Sequence, residues 1–152
     1  MYYPVFLDLR GSKVLVVGAG KVALRKVKGL LEAGARVTVV SPDADPEFAT
    51  LDLEWKARCF DWDDVQDQVL VYTATNDRAV NRAVAEAARA RGVWVNVADA
   101  PEECSFLVPS RLTRGDLQVA VSSSGRDPRL SMALRKQIED LLDATGDQGL
   151  SR

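Results

Sequence analysis

Two glycines, one aspartate and a run of cations are the residues in this chain whose types and spacing suit chemistry. Gly18, Gly20 and Ala23 form G-x-G-x-x-A in the stretch "VVGAGKVA". The first glycine permits a tight turn, the second lets backbone approach a pyrophosphate, and the small third residue lets a helix pack closely on a strand. A helix opening there offers the backbone N–H groups of Lys21 and Val22, and the positive end of its dipole, to phosphate charge. In dinucleotide sites of this kind an acid ends the second strand about twenty residues on and holds the ribose. Here that stretch reads Val40, Ser41, Pro42, Asp43. Ser41 or Asp43 is therefore the ribose contact, unless Asp43 is only a turn carboxylate in water. Arg36 begins the strand and no arginine ends it, so nothing stands ready for a 2′-phosphate and NAD is expected over NADP.

The chain contains no histidine, the side chain that most often moves protons near neutral pH. Acid–base work falls to carboxylates, hydroxyls, lysine, cysteine or the substrate. Ligands of open α/β sheets sit beyond the carboxyl ends of the strands, which selects Thr73, Ala74, Thr75 and Asn76 in one stretch and Asn96, Ala98 and Asp99 in another. Asp99 in "NVADAP" follows an apolar run and points to the same edge as the glycine loop. Partly shielded there, its carboxyl would titrate higher and take a proton at neutral pH; otherwise it only shapes an Asp-Ala-Pro turn.

Residues 105–136 carry Arg111, Arg114, Arg126, Arg129, Arg135 and Lys136 against Asp116 and Asp127. Such a strip suits a polycarboxylate, and "SSSGRDP" adds hydroxyls and N–H groups for an anion; the alternative is a solvated basic face with a serine-rich helix cap. The acids Asp61, Asp63, Asp64 and Asp67 lack a calcium-loop pattern and read as a solvated turn, so no metal site is expected. Trp55, Trp62 and Trp94 read as packing residues, and Cys104 as a buried thiol.

The elements that must position these residues follow from hydrophobic period. "KVLVVG" is a continuous β-branched run, as in a strand buried on both faces. Ala23, Val27, Leu30 and Leu31 then share one helical face up to Gly34, and "RVTVVSP" is a second buried strand. Residues 14–41 thus make a right-handed βαβ unit. "LEWKARC" is a short edge strand and "DWDDVQD" a polar turn or single helical turn. "QVLVYTAT" is a strand, Asp77 caps a helix running to Gly92, and "VWVNVAD" is the next strand. The alternation specifies an open, doubly wound parallel α/β sheet. Beyond Pro101, Ser105–Val108 and Leu117–Val121 read as strands separated by a basic turn. Asp127 and Pro128 open a helix with Leu130, Ala133, Leu134, Ile138, Leu141 and Leu142 on one face. "DATGDQGLSR" reads as a frayed polar tail. The chain is divided as 1–110, holding the cofactor, and 111–152, a short appended segment.

Composition limits the function classes. A 47% hydrophobic content builds a core rather than a disordered chain. Twenty basic residues against twenty-two acidic ones provide no overall field for nucleic acid or an anionic membrane. Two cysteines outside any CxxC spacing, and a start without a basic and apolar leader pattern, fit a cytoplasmic protein.

Read together, "YPVFLDLRGSKVLVVGAGKVALRKVKGLLEAGARVTVVSP", "ATND", "VNVADAPEECSFLVPS" and "LQVAVSSSGRDPRLSMALRKQIE" resemble the siroheme synthase amino-terminal family from Tyr3 to about Leu142. The resemblance implies a Rossmann-like NAD-binding fold and NAD-dependent oxidation of precorrin-2, a tetrapyrrole with many carboxylates, to sirohydrochlorin. It makes Asp99 the catalytic residue and places Ser123 near the substrate as a residue phosphorylated in some members; the basic strip then offers Arg111 and Arg126, and the sheet edge Asn96, as substrate contacts. NAD is held by Gly18, Gly20, Lys21, Val22, Ser41, Pro42, Asp43 and Thr75. Some members also insert iron with the same aspartate. The family commonly continues past the 130–142 helix, so 111–152 is expected to be a shortened dimerisation and substrate segment of a homodimer. The competing reading is a regulatory domain that binds NAD without chemistry.

Overall fold

A computed structural model describes residues 2–144. Five parallel strands form the main sheet: β1 (Lys13–Val17), β2 (Arg36–Val40), β3 (Glu54–Lys56), β4 (Leu70–Thr73) and β5 (Trp94–Val97), in the order β3-β2-β1-β4-β5. Helix α1 (Lys21–Glu32) connects β1 to β2, and α2 (Arg78–Ala90) connects β4 to β5. The order reverses at β1, so the crevice between the β1 and β4 loops opens at the carboxyl edge, where such sheets bind ligands. β1 explains the continuous apolar run: Val14 and Val16 join the core with α1, while Leu15 and Val17 join the core with α2. A period of two with both faces covered reads as an unbroken hydrophobic string.

The chain divides into two compact units, Tyr3–Phe106 and a smaller one of Tyr2 with the residues from Leu107 on; each is described by itself. In the smaller unit β6 (Ser110–Arg114) and β7 (Leu117–Val121) pair antiparallel across the loop Gly115-Asp116, followed by α3 (Pro128–Ala144). Asp127 caps α3 through Leu130 N–H at 2.9 Å.

Two of the sequence expectations for this region change. Ser105–Val108 is not a strand: Ser105 donates its N–H to the Val95 carbonyl at 2.8 Å and the chain then leaves the sheet, with Pro109 unable to donate to a ladder. The "basic turn" is instead half of the hairpin, with Arg111 and Thr113 on its exposed side. The apolar stripe of α3 is largely uncovered: Ser131 is the helix's one buried residue, and Leu130, Ala133 and Leu134 are exposed. The tail beyond Ala144 lies outside the described residues.

Candidate active site

Gly18 and Gly20 are glycines for different reasons. Gly18 has φ +101°, and a Cβ there would stand 2.6 Å from the Ala74 carbonyl oxygen, so the β4–α2 loop packs directly on its backbone. Gly20 has an ordinary extended conformation, and a Cβ there would meet nothing within 4 Å. It caps α1 with no side-chain hydrogen bond, and the first helical bond runs from Leu24 N–H to the Gly20 carbonyl. The N–H groups of Lys21, Val22 and Ala23 therefore precede the helical ladder, next to the open space at Gly20. This is the cradle a pyrophosphate needs, and it fits a dinucleotide.

A cleft of about 550 Å³ continues from it, lined by Gly18, Gly20, Ser41, Pro42, Asp43 and Thr75 among others. Six of the sequence-predicted cofactor residues are thus brought together on one wall-to-wall surface. Lys21 and Val22 lie at the start of α1, exposed, and contribute through backbone. Trp55, read as packing, is half-exposed and donates its indole N–H to the Ser41 carbonyl at 3.0 Å, bracing the Ser41 side of the cleft. Asp45 N–H bonds the Ala19 carbonyl at 2.9 Å and ties the β2 exit to the glycine loop.

Asp99 sits beyond β5 on the 97–104 loop. Ala98 N–H donates to the Thr73 carbonyl at 3.0 Å, which holds that loop against the end of β4. Asp99 is exposed, so the shielding expected of it is not supplied. Its Oδ1 accepts from Asn81 Nδ2 at 3.2 Å. Cys104 clasps the loop: its thiol accepts from Val97 N–H at 3.2 Å and faces the Val97 and Ala100 carbonyls at 3.3 and 3.5 Å. Burial pushes this thiol's pKa up, which keeps it a neutral donor.

Asn96 is placed differently from expectation. It is buried, its Oδ1 accepts from Lys26 Nζ at 2.9 Å, and its Nδ2 donates to the Phe106 carbonyl at 3.0 Å. Alternation along β5 turns it toward Lys26 of α1. Burial lowers the pKa of Lys26, with Arg25 adding to the effect, and its ammonium lies 5.3 Å from the Tyr72 ring centroid.

The acidic stretch after β3 is a solvated turn at Asp61, Asp63 and Asp67 but not at Asp64. Asp61 and Asp64 form a reciprocal cap on the 3₁₀ turn Trp62–Val65, and Asp64 is buried on Arg58 at 2.5 and 2.8 Å. The residue that sequence reasoning missed is Asn81. An asparagine one turn into an amphipathic helix carries no local signal, yet it is fully buried and bonded to Thr73, Thr75 and Asp99.

In the smaller unit, Ser123 accepts from Asp127 N–H at 2.9 Å and so shapes the turn into α3. Arg126 is exposed in that turn, and Arg111 is exposed on β6. The basic strip is weaker than its residues suggest: Arg114 pairs with Asp143, Arg135 with Glu139 at 2.8 Å, and Lys136 with Asp140 at 2.9 Å. Among the described residues no helix is long and apolar enough to cross a membrane, and no three His, Cys, Asp or Glu side chains gather to hold a metal.

Residues 5–110 match a family model described as "Putative NAD(P)-binding", and residues 114–141 one described as "Sirohaem biosynthesis protein central". The chain is 47% identical over 148 residues to a siroheme synthase of Nitrosomonas eutropha, covering 94% of this chain and 31% of the relative. It is 49% identical over 146 residues to a siroheme synthase of Methylobacillus flagellatus, covering 93% and 31%. The chain thus spans about a third of the length of these curated relatives. Among solved structures, "SirC, precorrin-2 dehydrogenase" superposes with a TM-score of 0.79 at 33% identity, covering 93% of this chain and 72% of that one.

Proposed function

The chain belongs to the NAD(P)-binding family that its residues 5–110 match, and from that premise we propose that it oxidises precorrin-2 to sirohydrochlorin, with Asp99 receiving the proton. When bound, NAD+ supplies the hydride acceptor, and the overall change is loss of a hydride and a proton from the macrocycle. The observation that carries the reading is the open cradle at Gly20 and the cleft beyond it, with the Asp99 carboxylate on the loop after β5 at the same sheet edge.

In this reading the N–H groups of Lys21 and Val22 hold the pyrophosphate, Ser41, Pro42 and Asp43 bound the ribose end, and Thr75 borders the nicotinamide end. Asp99 has its Oδ1 engaged by Asn81, and its exposure leaves it open to a substrate proton. Residues from about 111 on bind the tetrapyrrole and pair two copies, with Arg111 and Arg126 meeting its carboxylates and Ser123 beside it. The ion pairs of the other cations are surface pairs, weak enough for substrate carboxylates to exchange into. Iron insertion into the product, which the family resemblance also implies for some members, would draw on the same Asp99. The reaction is assigned to the cytoplasm.

Mixing the protein with precorrin-2 and NAD+ and following NADH absorbance tests the assignment. Asp99→Ala is expected to lower kcat by about 100-fold or more, the size of a lost general base, with NAD affinity retained. An unchanged rate removes Asp99 from the chemistry. Tight NAD binding with no turnover by the unaltered protein would make it a regulatory domain.

A further inference from the structure

The buried amide of Asn81 touches both halves of the site. Its Oδ1 accepts from Thr73 Oγ1 at 2.6 Å, Thr75 N–H at 3.1 Å and Thr75 Oγ1 at 2.7 Å. Its Nδ2 donates to the Thr75 carbonyl at 3.1 Å and to Asp99 Oδ1 at 3.2 Å. The orientation of the amide is set by its neighbours. A backbone N–H can only donate, so the oxygen must face Thr75 N. A carbonyl and a carboxylate can only accept, so the NH2 must face Thr75 O and Asp99.

A polar side chain with no solvent exposure in the first turns of a helix is costly unless every group is bonded, and this one is. A leucine would serve packing at this position without any network to satisfy. The amide spans features the fold otherwise leaves to separate loops: Thr75 lines the cofactor cleft, whereas Asp99 belongs to the loop after β5.

We infer that Asn81 is a positioning residue for the dehydrogenation, holding the Asp99 carboxylate in register with the Thr73–Thr75 wall of the cofactor cleft. This rests on the reading of Asp99 as the proton acceptor. With both N–H groups committed, the amide cannot rotate without breaking bonds to both loops, and the Asp99 oxygen it holds cannot swing freely. The other Asp99 oxygen remains for the substrate.

The test uses the full chain with precorrin-2 and NAD+, measuring kcat and KM together with NAD affinity by calorimetry. Asn81→Asp retains an acceptor for Thr73 and Thr75 but sets a second carboxylate against Asp99. It is expected to lower kcat by roughly 10- to 100-fold, the range for a misplaced catalytic group, while the NAD dissociation constant changes by less than about threefold. In an Asp99→Ala background the same substitution is expected to leave the residual rate unchanged, because there is no carboxylate left to position. Equal losses in both backgrounds, or a loss confined to NAD affinity, would overturn the inference. If Asn81→Asp does not fold, Thr73→Val removes the hydroxyl behind the amide and is measured identically. A reduced kcat with NAD affinity retained supports the positioning role, and an unchanged kcat refutes it. Failure of the underlying reading shows separately, as a full rate in Asp99→Ala alone.

Discussion

The two units of the chain bury themselves to different degrees. In Tyr3–Phe106, β1 is covered on both faces, and its Val14, Leu15 and Val16 have no exposure. In the unit from Leu107 on, the strands alternate half-buried with exposed residues, and α3 buries only Ser131. A two-stranded hairpin is marginal by itself and gains stability only by packing on something else. The larger unit builds its own core and can spend surface on a cleft, whereas the smaller one presents apolar surface as its product. The contrast separates residues that serve the fold from residues that serve a ligand or partner.

The sharpest break of that contrast lies within the larger unit. Gly18→Val forces a β-branched residue to φ +101° and drives a Cβ into the Ala74 carbonyl. It should cost about 3 kcal/mol or more of stability, combining backbone strain with overpacking, and NAD binding should vanish with it. Gly20→Val places its side chain in open space at an extended backbone position. Its melting temperature should stay near that of the parent, since replacing glycine at a helix cap costs about 1 kcal/mol or less, while NAD affinity falls beyond detection. Thermal melting paired with calorimetry reads both, and a Gly20→Val protein that binds NAD normally would sink the cradle assignment.

That pair also shows what was legible in the sequence. The βαβ frame and the cofactor wall were readable because they rest on local period and on glycine spacing, which a single chain displays. Asn81 was not, because its value lies in Asp99 eighteen positions away in sequence, and nothing local marks the bond. The partners of Asn96 were not legible, because proximity to a sheet edge does not reveal which face a side chain takes and Lys26 comes from another element. The basic strip of 105–136 is weaker than its residue types imply because the acids that temper it, Glu139, Asp140 and Asp143, lie just beyond it in sequence. Hydrophobic periodicity identified the apolar side of α3 but carried no information on whether this chain covers it.

A smaller effect than the Gly18 loss is expected at Asp64, which anchors the 3₁₀ turn whose Val65 packs into the α2 core. Burial tends to raise its carboxyl pKa, but the Arg58 hydrogen bonds, the Asp61 N–H and nearby Lys56 outweigh this and hold it below its ordinary value of 3.8. A depressed folded-state pKa stabilises above the unfolded value, and that contribution is lost as pH falls through the folded value. Asp64→Ala should therefore cost about 2 kcal/mol at neutral pH, as for a buried charge partner removed from a half-exposed arginine. The difference from the parent should shrink as denaturation curves are taken to pH below 3.8. A gap that persists unchanged in acid would mean the loss is packing rather than charge.

The smallest effect on folding, and the one that bears on the smaller unit, is expected on α3. Leu130 and Leu134 are one helical turn apart and are 51% and 41% exposed, so they lie on a common face. Replacing a residue on an exposed helix face changes stability by about 0.5 kcal/mol or less, so Leu134→Glu should leave the melting transition and NAD affinity of the larger unit in place. If that face is where two copies meet, the same substitution puts a charge into an apolar interface, and association should fall steeply while the fold is untouched. Sedimentation velocity over a concentration series separates these outcomes. A parent that sediments as a dimer and a Leu134→Glu variant that sediments as a monomer with unchanged melting would assign the exposed leucines to the partner. A parent that remains monomeric at working concentration would withdraw the homodimer and leave that apolar face assigned to some other surface.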